Sequence, residues 1–122
     1  MLLSCLLPGE PGAEFYTDER VYITELLNAE QSPGVSLAVA RVEPGVTTQL
    51  HALRGVDEIY IIREGSGVVE VNHVAQPVKI GDKVLIAAGT PQRITNTGAG
   101  DLVFYCLCLP RFTPGCYVNL ED

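Results

Sequence analysis

Apolar and polar residues alternate in short runs along most of this chain, and Gly, Pro, Asn and Asp separate the runs. Alternation with a period of two is typical of strands that bury one face. Many short strands of this kind favour an all-β fold of two packed antiparallel sheets, in a sandwich or barrel. Strands are predicted at residues 36–42, 58–63, 68–71, 83–87, 92–96 and 102–109.

The two ends of the chain carry weaker patterns. Residues 20–27 fit a helix or a strand by periodicity, but the β-branched and aromatic residues from Val21 to Thr24 favour a strand. We therefore expect N-terminal strands within residues 14–27. Residues 110–122 contain two prolines and two aromatic residues, and we expect them to form an arm that lies on the barrel or on a partner subunit.

Length and charge narrow the class of protein. A chain of 122 residues predicts one domain, 1–122, with its own core. The formal net charge of −7 leaves no basic patch for phosphate groups, so we expect neither nucleic-acid nor membrane binding. The first apolar run ends at Pro8 with no positive residue before it, which does not fit an export signal. We expect a cytoplasmic protein whose four cysteines are reduced.

One histidine and one glutamate stand at a fixed spacing between two glycines, in the segment GVTTQLHALRGVDEIYIIREG of residues 45–65. These residues are Gly45, His51, Glu58 and Gly65. A second segment, GDKVLIAAGTPQRITN of residues 81–96, has a similar arrangement. Its fixed positions are Gly81, Gly89 and Asn96.

The two spacings resemble the two motifs of the cupin superfamily over about residues 36–109. The chain is similar to small single-domain cupins with a conserved barrel, of the mannose-6-phosphate isomerase-like type. That resemblance implies a double-stranded β-helix, the cupin jelly-roll barrel. Three positions depart from the motifs: Leu53 and Gln92 stand where cupins have histidine, and Ala87 stands where they have proline.

Strand alternation independently predicts a polar cluster inside such a barrel. His51 and Leu53 share one face of their strand, and Glu58 and Tyr60 share one face of the next. Gln92 starts another inward face. Burying an imidazole, a carboxylate and an amide among apolar residues costs several kcal/mol unless the groups are paired or bind a ligand.

The resemblance implies a divalent metal, Fe, Mn, Ni or Zn, held by His51, Glu58 and the amide oxygen of Gln92. Leu53 contributes no donor, and Cys106 is a further candidate if its strand turns it towards the pocket. Two alternatives stay open. The polar residues form a hydrogen-bonded cluster around an organic ligand, or they have a purely structural role. No nucleotide cofactor is expected.

Other residues are expected to shape a substrate pocket. Tyr60, Leu53 and Cys106 are predicted to line it, and Arg41 to reach an anionic substrate near its mouth. The second histidine, His73, falls in a predicted hairpin turn and is expected to be exposed.

Two classes of function follow. The first is an enzyme of isomerase or dioxygenase type on a small oxygen-rich metabolite, with a metal or, in a metal-free version, with Glu58 as general base and His51 as general acid. The second is a non-catalytic cupin that binds or senses a small molecule. The resemblance also implies a homodimer, for which segments 14–17 and 20–27 are available.

Overall fold

Two antiparallel sheets packed face to face form the protein in a computed structural model that describes residues 2–9 and 12–121. Eleven strands lie in the described residues, and the predicted all-β jelly-roll fold is confirmed. The strands are β1 Phe15–Tyr16, β2 Tyr22–Leu27, β3 Ser36–Val42, β4 His51–Leu53, β5 Asp57–Glu64, β6 Ser66–Val71, β7 Val74–Lys79, β8 Lys83–Ile86, β9 Gln92–Asn96, β10 Leu102–Leu109 and β11 Tyr117–Asn119.

The first sheet has the order β1-β2-β3-β10-β5-β8, and the second has the order β11-β4-β9-β6-β7. Strand β10 is central in the first sheet, where Cys106 pairs with Ala38 of β3 on one side and with Tyr60 of β5 on the other. In the second sheet His51 of β4 pairs with Gln92 of β9. The two halves of the predicted polar cluster therefore belong to opposite sheets.

The main core fills the space between the sheets. Its apolar members alternate with less buried residues along β3, β5, β6 and β9, as a period of two requires. They come from both sheets: Val21, Ala40, Val42, Tyr60, Ile62, Val69, Val78, Ile86, Ile94, Leu102 and Phe104. The buried polar residues His51, Glu58 and Gln92 lie on strands of the same two sheets.

The tight β5–β6 turn depends on Gly65. Its φ of 83° lies in the left-handed region that glycine adopts without a steric cost. A Cβ atom at this position would lie 2.6 Å from the carbonyl oxygen of Asp101. The turn thus brings β5 directly against the start of β10, which fixes the register of the sheet that carries Glu58.

Segments near both ends of the chain form strands of the two sheets. The N-terminal strands β1 and β2 extend the first sheet beside β3, and β2 is a strand as predicted. The C-terminal segment contributes more than an arm: a 3-10 turn, Pro114–Cys116, leads into β11, which pairs with β4. Neither end holds a helix that could cross a bilayer, nor does any other described part of the chain.

Candidate functional site

A cavity of about 360 Å³ lies between the sheets, and the core residues Val21, Ala40, Tyr60 and Phe104 form part of its wall. Small-molecule sites in proteins usually enclose 300 to 1,000 Å³, so this one suits a small ligand. The cavity is lined by five of the residues singled out in the sequence: His51, Leu53, Glu58, Tyr60 and Cys106. The structure therefore brings these five together.

His51 is fixed as a neutral base. Its side chain is buried, and Nδ1 lies 2.8 Å from the backbone oxygen of Gln49. Because a carbonyl oxygen only accepts hydrogen bonds, Nδ1 carries the proton and Nε2 keeps its lone pair. The imidazole also stacks on the ring of Tyr117, with centroids 4.8 Å apart. Burial lowers the pKa of His51, and the hydrogen bond to Gln49 opposes this effect only in part.

Glu58 is the least satisfied polar group of the cavity. Its side chain is 7% exposed, and Oε1 has no hydrogen-bond partner among the described residues. The other oxygen, Oε2, accepts a bond from the Cys108 thiol at 3.6 Å. Burial raises the pKa of Glu58 to about 7, although the Gln92 amide and the Cys108 thiol act in the opposite direction. A carboxyl group with this pKa exchanges protons readily near neutral pH.

Gln92 holds Tyr60 in place across the two sheets. The Tyr60 hydroxyl donates a hydrogen bond to Oε1 of Gln92, and both side chains are buried. The ring of Tyr60 packs at a tilt against Phe104, with centroids 4.6 Å apart. Burial, followed by the charge of Glu58, raises the pKa of Tyr60 well above its usual range. Tyr60 is therefore a neutral phenol that does not act as a base, and because its proton is donated to Gln92, its oxygen is free only to accept a hydrogen bond.

Several residues of the cavity were not singled out by the sequence. Glu19 reaches the cavity from a turn before β2, Tyr117 from β11 and Cys108 from β10. Burial raises the pKa of Glu19, and the neighbouring Tyr117 hydroxyl partly offsets this. Alternation along β10 could have indicated Cys108, because it shares a face with Cys106. Nothing in the local sequence indicates Glu19, which depends on a turn conformation.

Arg41 lies outside the cavity, contrary to the expectation that it reaches the pocket mouth. It sits between the buried residues Ala40 and Val42 on β3, so its side chain leaves from the outer face of the sheet. There it binds Glu14 at 2.7 Å and Asp101 at 3.3 Å. Its guanidinium also covers the ring of Tyr22 at 4.1 Å from the centroid. His73, the second histidine of the chain, is exposed in the β6–β7 turn, and its φ is 65°.

The donor set does not fit a cupin metal centre with three strong ligands. Catalytic zinc sites usually have three side-chain ligands, and Leu53 offers no donor atom. Gln92 offers only an amide oxygen, which already accepts the hydrogen bond from Tyr60. Within residues 2–9 and 12–121, no three His, Cys, Asp or Glu side chains are grouped so that they could hold a metal ion. His51 and Glu58 remain as two potential ligands.

The fold and the motifs define the class of protein. Residues 38–108 match the Cupin domain family, and the chain therefore belongs to the cupins. As a cupin with a cavity between its sheets, it is a small-molecule binder or an enzyme. Cupins commonly bind metals, but the donor set of this cavity departs from the family pattern at two of four positions.

Particular relatives come from an archaeon and a bacterium. An uncharacterized protein of Methanocaldococcus jannaschii is 36% identical over 101 residues, which are 81% of each chain. An oxalate-binding protein of Thermotoga maritima is 34% identical over 91 residues, which cover 73% of this chain and 75% of the relative. A crystal structure of a predicted oxalate decarboxylase from Thermotoga maritima has a TM-score of 0.73 at 29% identity, and the match covers 82% of this chain and 92% of that one.

Proposed function

We propose that this cupin binds a small oxygen-bearing organic molecule in its cavity and catalyses proton transfer on it without a metal. One observation carries the proposal: the Glu58 carboxyl group is buried, has an unpartnered oxygen and has a pKa raised to about 7. An unsatisfied buried acceptor such as this oxygen costs about 1–3 kcal/mol, which a bound ligand with a hydroxyl or amino group would recover. Glu58 has a raised pKa and His51 a lowered one, and two groups perturbed in this way in one cavity are typical of acid–base sites.

The pKa directions suggest a role for each group. His51 has a lowered pKa and an available Nε2 lone pair, which suits a general base. Glu58 has a raised pKa and is about half protonated near pH 7, which suits a general acid. This assignment reverses the roles expected from the sequence, because burial acts in opposite directions on a cation and an anion.

An isomerisation next to a carbonyl group uses both residues. His51 Nε2 takes the proton from the carbon, the electron pair of the C–H bond forms a C=C bond, and Glu58 gives its proton to the carbonyl oxygen. In the second half, Glu58 takes the proton of a hydroxyl group on the carbon that His51 deprotonated, and that carbon becomes the new carbonyl. His51 returns its proton to the former carbonyl carbon, which restores both groups. The Tyr60 oxygen, whose own proton is donated to Gln92, accepts a hydrogen bond from a substrate hydroxyl. General acid–base catalysis of this kind contributes about 10²–10⁴-fold to a rate.

The metal-dependent alternative has Fe, Mn, Ni or Zn on His51, Glu58 and Gln92. It requires Gln92 to give up its hydrogen bond from Tyr60, and it supplies only one imidazole to the metal. The oxalate-binding relative supports small-molecule binding in this fold without fixing the ligand of this chain. We further infer a cytoplasmic location, which the four unbridged cysteines support.

Hydrogen–deuterium exchange tests the proposal before the substrate is known. A pool of small hydroxycarbonyl compounds and sugars is incubated in D2O with protein stripped by a chelator, and proton NMR follows loss of carbon-bound protons. We expect exchange in one class of compound, and a loss of about 10²-fold or more in His51→Gln and Glu58→Gln. The Glu64→Gln variant, at the exposed opposite end of β5, is the matched control.

Two results would decide against the proposal. Exchange that requires a stoichiometric metal, measured by elemental analysis and lost in His51→Ala, would establish the metal-dependent alternative instead. Absence of exchange in every compound of the pool, with unchanged folding of the wild type, would leave a cupin that binds small molecules without this chemistry.

A further inference from the structure

Acidic side chains surround the cavity with no basic side chain to balance them. Glu19, Glu25 and Glu58 line it, and of the three only Glu58 is buried. Among the described residues that form its wall, none is Lys or Arg. The one group of the wall that could become a cation near neutral pH is His51, whose pKa burial lowers.

The buried end of the cavity offers a ligand one unpartnered acceptor. Oxygen Oε1 of Glu58 has no hydrogen-bond partner among the described residues, and the residue is more than nine-tenths buried. A buried acceptor without a donor is destabilising, and the group that satisfies it must carry an N–H or O–H. An ionised carboxylate offers no such donor, and an ionised Glu58 repels it.

Glu19 is held towards the cavity by an unusual turn. The next residue, Arg20, has a φ of 66°, a conformation that costs free energy in a residue with a Cβ atom. Contacts of the Arg20 side chain fix it: Nε donates to the backbone oxygen of Thr47 at 2.9 Å, and Nη2 pairs with Glu121 at 2.9 Å. Arg20 therefore points away while Glu19 faces the cavity.

The backbone of the same turn is also fixed. The Thr17 hydroxyl accepts the N–H of Glu19 at 3.2 Å and donates to the oxygen of Val21 at 2.9 Å. The carbonyl oxygen of Glu19 accepts the N–H of Gln49, two residues before His51, at 3.0 Å. These contacts hold the backbone of Glu19 in one position relative to the strand that carries His51. Strained backbone of this kind is often found at functional sites.

We propose that Glu19 is a specificity residue that rejects anions and receives a hydroxyl or amino group of the ligand. The ligand class is a small carbonyl compound that carries hydrogen-bond donors and no negative charge, such as an uncharged polyhydroxy or amino carbonyl compound. Oxalate, named for one relative, is a dianion and is excluded from this cavity by the same charges. The inference narrows the substrate class of the proposed function and rests on that function for the cavity being its site.

The two cavity thiols allow a direct measurement of charge selectivity. Cys106 and Cys108 line the cavity and lie together in the tryptic peptide 94–111, whereas Cys5 and Cys116 lie in other peptides. Two methanethiosulfonate reagents of similar size, one with a trimethylammonium group and one with a sulfonate group, are compared at pH 8. Mass spectrometry of the peptide gives the two labelling rates.

We expect the cationic reagent to label the cavity peptide at least about tenfold faster than the anionic one. The ratio should fall several-fold in Glu19→Gln and stay unchanged in Glu64→Gln, since Glu64 is exposed at the far end of β5. The ratio at the exposed Cys5 measures the intrinsic difference between the reagents in each sample.

Equal labelling rates, or faster labelling by the anionic reagent, would overturn the inference. Burial raises the pKa of both cavity thiols, so their labelling is slow at pH 8, and the ratio of the two rates over a long incubation decides the inference. The labelling requires no chemistry of His51 or Glu58. If charge selectivity fails while deuterium exchange persists, only the specificity of Glu19 is wrong and the proposed function stands.

Discussion

The ring of Tyr117 lies on the imidazole of His51, with centroids 4.8 Å apart and planes 17° apart. The phenol comes from β11 and the imidazole from β4, and the two residues are neighbours on paired strands. The hydroxyl of Tyr117 also donates to Oε1 of Gln49 at 2.5 Å. A residue near the end of the chain thus sets the orientation of the proposed base.

Removal of this ring should destabilise the protein and loosen His51. For Tyr117→Ala we expect a loss of about 1–3 kcal/mol in the free energy of unfolding, from apolar contact and stacking. Tyr117→Phe keeps the ring and loses one hydrogen bond, so about 1 kcal/mol is expected. Urea unfolding measures both values. Equal losses in the two variants would show that the stack contributes nothing.

The pH dependence of stability should reveal the buried Glu58. Its pKa is about 7 in the folded protein against a usual value of 4.5, so the folded state binds the proton more tightly than the unfolded chain. The free energy of unfolding therefore decreases by about 3 kcal/mol as pH rises from 4.5 to 7, which corresponds to the full difference between the two pKa values.

The Glu58→Gln variant isolates this contribution from those of other groups. We expect it to gain stability relative to the wild type between pH 4.5 and pH 8, when unfolding is measured across that range. Burial lowers the pKa of His51, so the effect of this residue on stability has the opposite sign to that of Glu58. The stability that neutral His51 contributes is lost as pH falls below about 6.5. A constant difference between variant and wild type over this range would contradict the raised pKa of Glu58.

Gly65 and Gly81 form a matched pair for testing the β5–β6 turn. Both have positive φ values, 83° and 90°, but an added Cβ atom meets backbone only at Gly65. Gly81→Ala should cost about 1–2 kcal/mol from the φ value alone. Gly65→Ala should lower the free energy of unfolding by about 2 kcal/mol more than Gly81→Ala does, because the Asp101 backbone must move. Thermal or urea unfolding gives both numbers, and similar losses would argue against the close approach.

We expect a homodimer that uses the N-terminal strands. Leu26 on β2 is 54% exposed and Tyr16 on β1 is 57% exposed, so a large apolar surface lies at this edge. Light scattering at tens of micromolar should give twice the chain mass. Leu26→Glu should produce monomers, while Leu85→Glu, 71% exposed at the opposite edge of the same sheet, should not. A monomeric wild type would contradict the prediction.

Periodicity and spacing were sufficient to predict the fold and part of the site. Strands β3, β5, β6 and β9 carry clear alternation, so the shared cavity face of Glu58 and Tyr60 was readable from their positions. Strands β4, β7 and β11 were not among the predicted segments. Three residues are too few for a period in β4 and β11, and nearly every residue of β7 is exposed. Glu19 was missed because its direction depends on the positive φ of Arg20, which no residue type in the turn indicates.

The cavity is assembled from two kinds of segment. His51, Glu58 and Tyr60 lie on strands of the two sheets, and Tyr60 is also part of the main core, so changes there disturb packing. Glu19 and Phe112, which also line the cavity, belong to the segments before β2 and after β10. Substitutions in those two segments can therefore change the shape and charge of the cavity while the strands that carry His51 and Glu58 keep their packing.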